Sequence, residues 1–163
     1  MRERTIRWED PALLPQLAAK SEGGLAFLQS LIDGDAAGPP VMETLGFRLV
    51  AVAPGEATFV LTPAEYQFNP LGTVHGGVVA TVLDSAMGCA VHTTLPRGVR
   101  YTSLDVHVRF AKAVTLASGD LRAIGRVVRG GRSTAIAEAR LVDAEETLYA
   151  FATSTCLILS GAP

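Results

Sequence analysis

The feature that most constrains the fold is a proline-free stretch at residues 77–91, in which apolar residues recur with helical spacing. Valine and threonine are frequent there, and both lower intrinsic helix propensity. Such a helix is marginal alone and forms when tertiary packing surrounds it. The apolar positions are Val78, Val79, Val82, Leu83, Ala86, Met87, Ala90 and Val91. The sequence therefore predicts one long, buried helix.

The segments around this helix have the alternating pattern of strands. Residues 47–50 and 57–60 are separated by Pro54-Gly55, which predicts a hairpin. Residues 103–110 alternate apolar and polar side chains and predict one strand with a solvated face. Three more strands are predicted, at residues 121–128, 133–142 and 148–159. This order favours an α+β fold in which a curved antiparallel sheet wraps around the long helix.

Length and composition predict one main domain and an interface. We expect residues 1–40 to form an N-terminal extension with one short helix at residues 25–32, and residues 41–163 to form the main domain. Hydrophobic residues make up 48% of the chain and charged residues 18%, so it is more apolar than a typical soluble monomer. The surplus apolar surface predicts contact with another subunit.

Several classes of partner are disfavoured. Every apolar stretch ends well before the roughly 20 residues that a membrane helix needs, and the charged start lacks the apolar core of a secretory signal. We therefore expect a cytoplasmic protein that does not enter a membrane. A net charge of −2 provides no field that would attract nucleic acid.

The sequence also lacks the common cofactor and nucleophile motifs. Cys89 and Cys156 lie far apart, and the three histidines have no metal-ligand spacing. No P-loop, dinucleotide fingerprint or Gly-x-Ser-x-Gly elbow is present. We expect no metal and no other cofactor.

Asp84 is the unusual residue of the long helix. Its neighbours Val82, Leu83, Ala86 and Met87 are apolar, and an isolated carboxylate among them would cost several kcal/mol of desolvation free energy. A carboxylate that opens into a functional cleft would explain this placement. The alternative is a narrow solvated stripe that also contains Thr81, Ser85 and Gly88.

Gly76 lies where the helix is predicted to begin. First-turn N–H groups lack intrahelical acceptors, and the positive end of the helix dipole is there. An N–H in this place can stabilise the oxyanion of acyl transfer. Asp84 lies eight residues further on, about 12 Å at 1.5 Å per residue, so both groups cannot meet at one carbonyl within one chain. A second subunit would have to supply one of them.

At these residues the chain resembles the hotdog-fold thioesterases, specifically the phenylacetate-pathway (PaaI-like) branch. The resemblance covers about residues 41–158 and is most specific at Asn69, Gly72, His75-Gly76-Gly77 and Asp84. It implies a homodimer with shared active sites, which could pair again into a homotetramer. It also implies that Asn69 and the Gly76 N–H contact an acyl-CoA thioester, while Asp84 of the opposite subunit acts as general base or nucleophile.

The resemblance points to two positions where a hydroxyl could lie near Asp84. Some relatives carry a hydroxyl one helical turn after the acid, where this chain has Gly88. In others a hydroxyl at the start of the next strand approaches the site, and Ser103 matches that place. The alternative for Ser103 is an ordinary bond to the backbone.

Three further residues are candidates for substrate contact. His75 and Gly77 flank Gly76 in the motif, although His75 could instead order the loop before the helix. Arg132 belongs to a cluster with Arg126 and Arg129, and its forked donors suit the phosphates of CoA. The alternative for this cluster is a solvated turn.

The sequence therefore predicts an acyl-CoA thioesterase. One alternative is a noncatalytic acyl-CoA-binding or regulatory module on the same fold, because fold alone does not establish chemistry. A second is a hotdog hydratase or dehydratase. Those enzymes pair an acid with a histidine a few residues later, and His92 is out of helical phase with Asp84.

Overall fold

The computed structural model describes residues 1–159, and one long helix lies at its centre. This helix, α4, spans Gly76–His92, one residue longer at each end than the periodicity predicts. All eight predicted apolar positions are buried. The prediction of a long buried helix is confirmed.

A seven-stranded antiparallel sheet packs against α4. Its order is β1-β2-β5-β6-β7, and both β3 and β4 pair with the far edge of β7. The pairings confirm the predicted hairpin and the antiparallel α+β layout. The strands are β1 (Phe47–Ala53), β2 (Glu56–Leu61), β3 (Arg100–Ser103), β4 (His107–Phe110), β5 (Leu121–Gly130), β6 (Thr134–Val142) and β7 (Leu148–Leu159).

Small residues let the sheet approach the backbone of α4. Gly125 on β5 is the tightest point, because an added Cβ would lie 2.2 Å from the carbonyl oxygen of Ala86. Alanines fill the inward positions of the neighbouring strands, where larger side chains would hold the layers apart. The fully buried ones are Ala57, Ala123, Ala137, Ala139, Ala150 and Ala152.

The prediction of a single strand at residues 103–110 is wrong. The segment forms β3 and β4, separated by residues 104–106. Asp105 interrupts the ladder, because its carboxylate accepts the Thr155 N–H and its carbonyl accepts the Ser154 hydroxyl. Leu104 and Phe110 are consequently 58% and 59% exposed, so apolar side chains face outward at this edge of the sheet.

The N-terminal region contains more helix than predicted. The predicted helix at residues 25–32 is α2 (Gly24–Asp33), but α1 (Leu13–Lys20) precedes it and α3 (Pro40–Leu45) follows it. Sequence analysis missed α3 because Pro39-Pro40 looks like a loop, whereas proline is well suited to the first position of a helix. Phe27 and Leu28 of α2 are buried in the main core.

Candidate active site

The start of α4 presents one free backbone N–H. His75 is the N-cap, and its ring Nδ1 accepts the Gly77 N–H at 2.8 Å. The His75 carbonyl accepts the Val78 N–H at 2.9 Å. Within residues 1–159 no acceptor lies within reach of the Gly76 N–H. The sequence places a donor at the positive end of the helix and leaves it available for a ligand.

Asn69 organises the loop that leads into α4. Its Oδ1 accepts the N–H groups of Leu71 and Thr73, and its Nδ2 donates to the Thr73 hydroxyl at 2.9 Å. An amide nitrogen carries two N–H donors, so one remains for a ligand. The side chain therefore has a structural task as well as the predicted contact with substrate.

Asn69 and Gly76 line the same cavity, which we call the Gly76 cavity. It has a volume of about 350 Å³ and is also lined by Thr73, Phe110, Lys112 and Tyr149. The Phe110 ring lies against Gly76, with its nearest atom 3.1 Å from where a Cβ would be. Lys112 extends over the Tyr149 ring at 4.7 Å. The cavity combines main-chain donors with a cation.

Asp84 and Ser103 form a second polar centre. The Ser103 hydroxyl donates to Asp84 Oδ1 at 2.8 Å, from β3 to α4. The expected alternative of a backbone bond for Ser103 is absent among residues 1–159. The other carboxylate oxygen, Oδ2, has no donor in this part of the chain, which leaves it free for water or substrate.

These two residues open into a different cavity, the Asp84 cavity. Its volume is about 290 Å³, and its walls are mainly apolar. Ser85, Cys89, His92 and Tyr101 line it beside Asp84, and the rest comes from the N-terminal helices and from β1 and β2. Asp84 therefore does not lie on a solvated surface stripe. Gly88, a member of the expected stripe, is buried.

Cys89 and Tyr101 are poor nucleophiles in this cavity. Burial, followed by the negative charge of Asp84, raises the pKa of the Cys89 thiol to about 12. Burial also raises the pKa of the Tyr101 hydroxyl well above its usual value. Burial lowers the pKa of His92, so its ring is neutral near pH 7. Asp84 is the one carboxylate of the cavity.

The Tyr101 hydroxyl occupies the space that a side chain at Gly88, one helical turn after Asp84, would fill. Its hydroxyl oxygen lies 2.6 Å from where a Cβ on Gly88 would be. Gly88 is thus required by a close approach, because a side chain at this position would clash with the Tyr101 phenol. Sequence analysis missed Tyr101, although it lies two residues before Ser103 and so on the same face of β3.

Arg132 lies outside both cavities. It is in the connection between β5 and β6, two residues before Thr134, which pairs with Leu157. Phe110, beside Gly76, pairs with Ala150, so Arg132 lies roughly 20 to 30 Å along the sheet from Gly76 at about 3.3 Å per residue. Of its predicted cluster, Arg126 forms an ion pair with Glu56.

The structure groups the predicted residues into two halves. Asn69, His75, Gly76 and Gly77 lie at the start of α4, and Asp84 lies with Ser103 two turns later. The two cavities share no lining residue. Lys112 is a cation of the first half that sequence analysis did not identify, because nothing in its local pattern marks it.

Residues 1–159 contain no group of three His, Cys, Asp or Glu side chains able to hold a metal ion. None of their helices is both long and apolar enough to cross a membrane.

This region is similar in sequence to known proteins. Residues 71–150 match the family model described as the thioesterase superfamily. A protein of Halobacterium salinarum described as an esterase is 30% identical over 132 residues, 78% of this chain and 83% of that protein. Human acyl-coenzyme A thioesterase 13 is 28% identical over 95 residues, 58% of this chain and 66% of that protein.

A solved structure extends the likeness to the fold. A thioesterase from Ralstonia eutropha, described as related to phenylacetic acid degradation, superimposes with a TM-score of 0.72 at 29% identity. The match covers 80% of this chain and 98% of that one. Sequence and structure thus point to the same family and to its phenylacetate-related branch.

Proposed function

Because the chain belongs to the thioesterase superfamily and is a thioester hydrolase, we propose that it hydrolyses acyl-CoA thioesters to a free acid and CoA. The observation that carries this proposal is the Asp84 carboxylate, which lines an apolar cavity and accepts a hydrogen bond from Ser103. One of its oxygens is oriented by this bond and the other is free among the described residues. Such a group can act on water or on substrate.

In the proposed reaction, a water molecule attacks the thioester carbon while Asp84 removes a proton from that water. The carbonyl electron pair moves to oxygen, and the Gly76 N–H, with Asn69, stabilises that oxyanion. The carbonyl then re-forms and the C–S bond breaks. The sulfur keeps the electron pair of that bond and receives a proton from Asp84. Alternatively, Asp84 attacks the carbon directly, the C–S bond breaks, and CoA leaves as a thiolate that takes a proton from water. A second water molecule then hydrolyses the anhydride to the free acid and the Asp84 carboxylate.

We propose that two subunits complete each site. Gly76 and Asp84 are about 12 Å apart along α4 at 1.5 Å per residue and open into separate cavities. Leu104 and Val106, between β3 and β4, and Phe110, at the end of β4, expose apolar side chains. This surface has Ser103 at one end and Gly76 at the other. A two-fold interface through this surface would bring Gly76 of one subunit towards Asp84 of the other.

The remaining residues have supporting tasks in this proposal. His75 fixes Gly77 and leaves Gly76 unpaired, and Lys112 lies where a phosphate or pantetheine group could approach the Gly76 cavity. Arg132 is nearer along the sheet to Ser103 than to Gly76. We therefore propose that it contacts the phosphates of a CoA that is bound at Gly76 of the other subunit.

We also place the protein in the cytoplasm. Cys89 and Cys156 are both free thiols, and cytosolic reductants keep thiols in that state.

A panel of acyl-CoA substrates tests the proposal directly. The purified protein is incubated with short, medium, long and aromatic acyl-CoAs, and release of the CoA thiol is followed. We expect steady turnover on at least one class. Saturable binding of acyl-CoA without release of thiol across the panel would contradict hydrolysis and support the noncatalytic module instead.

A further inference from the structure

The N-terminal helices supply much of the wall of the Asp84 cavity. Six of its lining residues come from this region: Leu14, Phe27, Leu28, Leu31, Pro39 and Met42. On the opposite side the cavity reaches Asp84 and Ser103. A segment outside the matched family region thus encloses the space next to the proposed reacting group.

Helix α2 is fixed firmly enough to act as a wall. Gly24 packs on the end of α4 so closely that an added Cβ would lie 1.8 Å from the His92 carbonyl oxygen. The Gly24 N–H also donates to the Leu95 carbonyl at 3.0 Å. The rings of Phe27, His92 and Tyr101 follow one another at 5.7 and 5.5 Å. This chain of contacts ties α2 to both α4 and β3.

The chemistry of the Asp84 cavity suits the acyl group of the substrate better than the CoA part. No Lys or Arg lines it, and the His92 ring is neutral near pH 7 because burial lowers its pKa. Phosphates or pantetheine amides would lose their hydration here without replacement partners. An acyl group attached to a carbonyl near Asp84 would lose nothing comparable, and its carbon atoms would gain apolar contact.

The volume limits the size of that group. About 290 Å³ is near the lower end of ligand pockets, which begin at roughly 300 Å³. If each non-hydrogen atom occupies about the 30 Å³ of a water molecule in liquid, the cavity holds on the order of ten such atoms. A long-chain acyl group would have to displace α2 or α3.

We propose that the N-terminal helices α1–α3 form the end wall of the acyl pocket and restrict the enzyme to uncharged apolar acyl groups of on the order of eight to ten non-hydrogen atoms. This assignment rests on the proposed role of Asp84. An acyl group that ends in a second carboxylate is excluded, because the cavity offers no cation and already contains Asp84.

The test is a profile of kcat/KM over straight-chain acyl-CoAs from acetyl to palmitoyl, with a dicarboxylic acyl-CoA of eight carbons beside octanoyl-CoA. We expect a maximum near octanoyl-CoA and decanoyl-CoA and at least a tenfold fall at palmitoyl-CoA. The dicarboxylic substrate should be at least tenfold poorer than octanoyl-CoA. A flat profile, a maximum at palmitoyl-CoA or equal use of the dicarboxylic substrate would overturn the proposal.

Three variants locate the wall. Leu31→Trp fills the cavity and should lower the decanoyl-to-acetyl ratio of kcat/KM at least tenfold. Met42→Ala enlarges it and should move the maximum towards longer chains, which keeps the proposal testable if Leu31→Trp fails to fold. Gln29→Trp, on the exposed face of the same helix, should leave the profile unchanged. An unchanged profile in folded Met42→Ala would contradict the assignment.

Failure of hydrolysis and failure of the pocket are separable. If the wild type hydrolyses no acyl-CoA, the proposed function fails, and calorimetry with decanoyl-CoA and palmitoyl-CoA, which then stay intact, still examines the pocket. Weaker binding of decanoyl-CoA to Leu31→Trp, or tighter binding of palmitoyl-CoA to Met42→Ala, than to Gln29→Trp would support the wall. Equal binding to all three variants, or no binding to the wild type, would contradict the assignment of the wall.

Discussion

The two cavities of this molecule differ in chemistry although both are built on α4. The Gly76 cavity contains main-chain donors and Lys112, while the Asp84 cavity is largely apolar and contains one carboxylate. The first suits the accumulation of negative charge and the second suits an acyl group beside a base. One helix thus carries the two halves of the proposed acyl-transfer site and keeps them apart.

Their separation along α4 has a physical benefit. A carboxylate at the start of a helix would be stabilised by the dipole and by free N–H groups, so it would lose basicity and occupy the place of the oxyanion. In the second turn after that start, Asp84 escapes most of this field, because the effect falls off within the first turn. In the proposed dimer, joining the halves across the subunit interface would restore proximity without that penalty.

Removing the acid should have the largest effect. Asp84→Asn keeps the shape and an acceptor for Ser103 but loses the base or nucleophile, so we expect kcat to fall at least about a hundredfold. Thiol release and acyl-CoA binding are measured in parallel, and binding should stay nearly unchanged. Asp35→Asn, at an exposed aspartate, is the control. Near-normal turnover in Asp84→Asn would remove Asp84 from the mechanism.

Removing the Gly76 N–H, the donor of the Gly76 cavity, should lower kcat about a hundredfold. This is the lower end of the effect expected for loss of one oxyanion-hole donor. Gly76→Pro deletes the N–H at the first helical position, where proline is tolerated and where His75 already has the extended backbone that proline requires. Gly76→Ala adds a Cβ against Phe110 but keeps the N–H. If both variants lose activity equally, crowding and not the lost donor is responsible.

Mixing subunits tests whether the halves belong to different chains. Asp84→Asn subunits and Gly76→Pro subunits, each inactive alone, are exchanged and assayed. Half of the dimers in a statistical mixture are mixed, and each has one intact site, so about a quarter of wild-type activity should return. Asn69→Ala can replace Gly76→Pro as the second partner. No recovery after verified exchange would contradict the shared site even if both residues are essential.

Within the Asp84 half, loss of the Ser103 hydroxyl should have a smaller effect. Ser103→Ala removes the bond that orients Asp84, and we expect about a tenfold fall in kcat, equivalent to roughly 1.4 kcal/mol. Ser103→Thr keeps the hydroxyl and should recover most of it. Thr102→Ala, one residue earlier and exposed, is the control. A loss in Thr102→Ala as large as that in Ser103→Ala would indicate a general disturbance of β3.

The features that sequence predicted are those with a local pattern. Helix α4 and the antiparallel strands follow from periodicity, the motif at Gly76 and Asp84 follows from the family resemblance, and the comparisons confirm the family and the fold. The predicted roles of Asn69, His75, Gly76, Gly77, Asp84, Ser103 and Arg132 stay predictions. Even so, the bond from Ser103 to Asp84 explains how the carboxylate can sit beside apolar residues.

The features that sequence missed depend on tertiary contacts. The break between β3 and β4 arises from Asp105, whose partners lie some fifty residues later in the chain. Helices α1 and α3 each contain a proline in the first turn, Pro15 and Pro40, and proline suggests a loop. Tyr101 fills the space over Gly88 only because β3 crosses α4 there. None of these contacts leaves a periodic signal in the sequence.

The smallest predicted effect separates positioning from substrate contact at His75. His75→Ala removes the acceptor of the Gly77 N–H, and loss of such a cap costs about 1 kcal/mol of unfolding free energy. His75→Asn supplies another good capping oxygen, so it should restore both stability in urea and kcat. His107→Ala, at an exposed histidine, should change neither. If His75→Asn recovers stability but not KM, the imidazole itself contacts the substrate, and the helix start does more than orient the Gly76 donor.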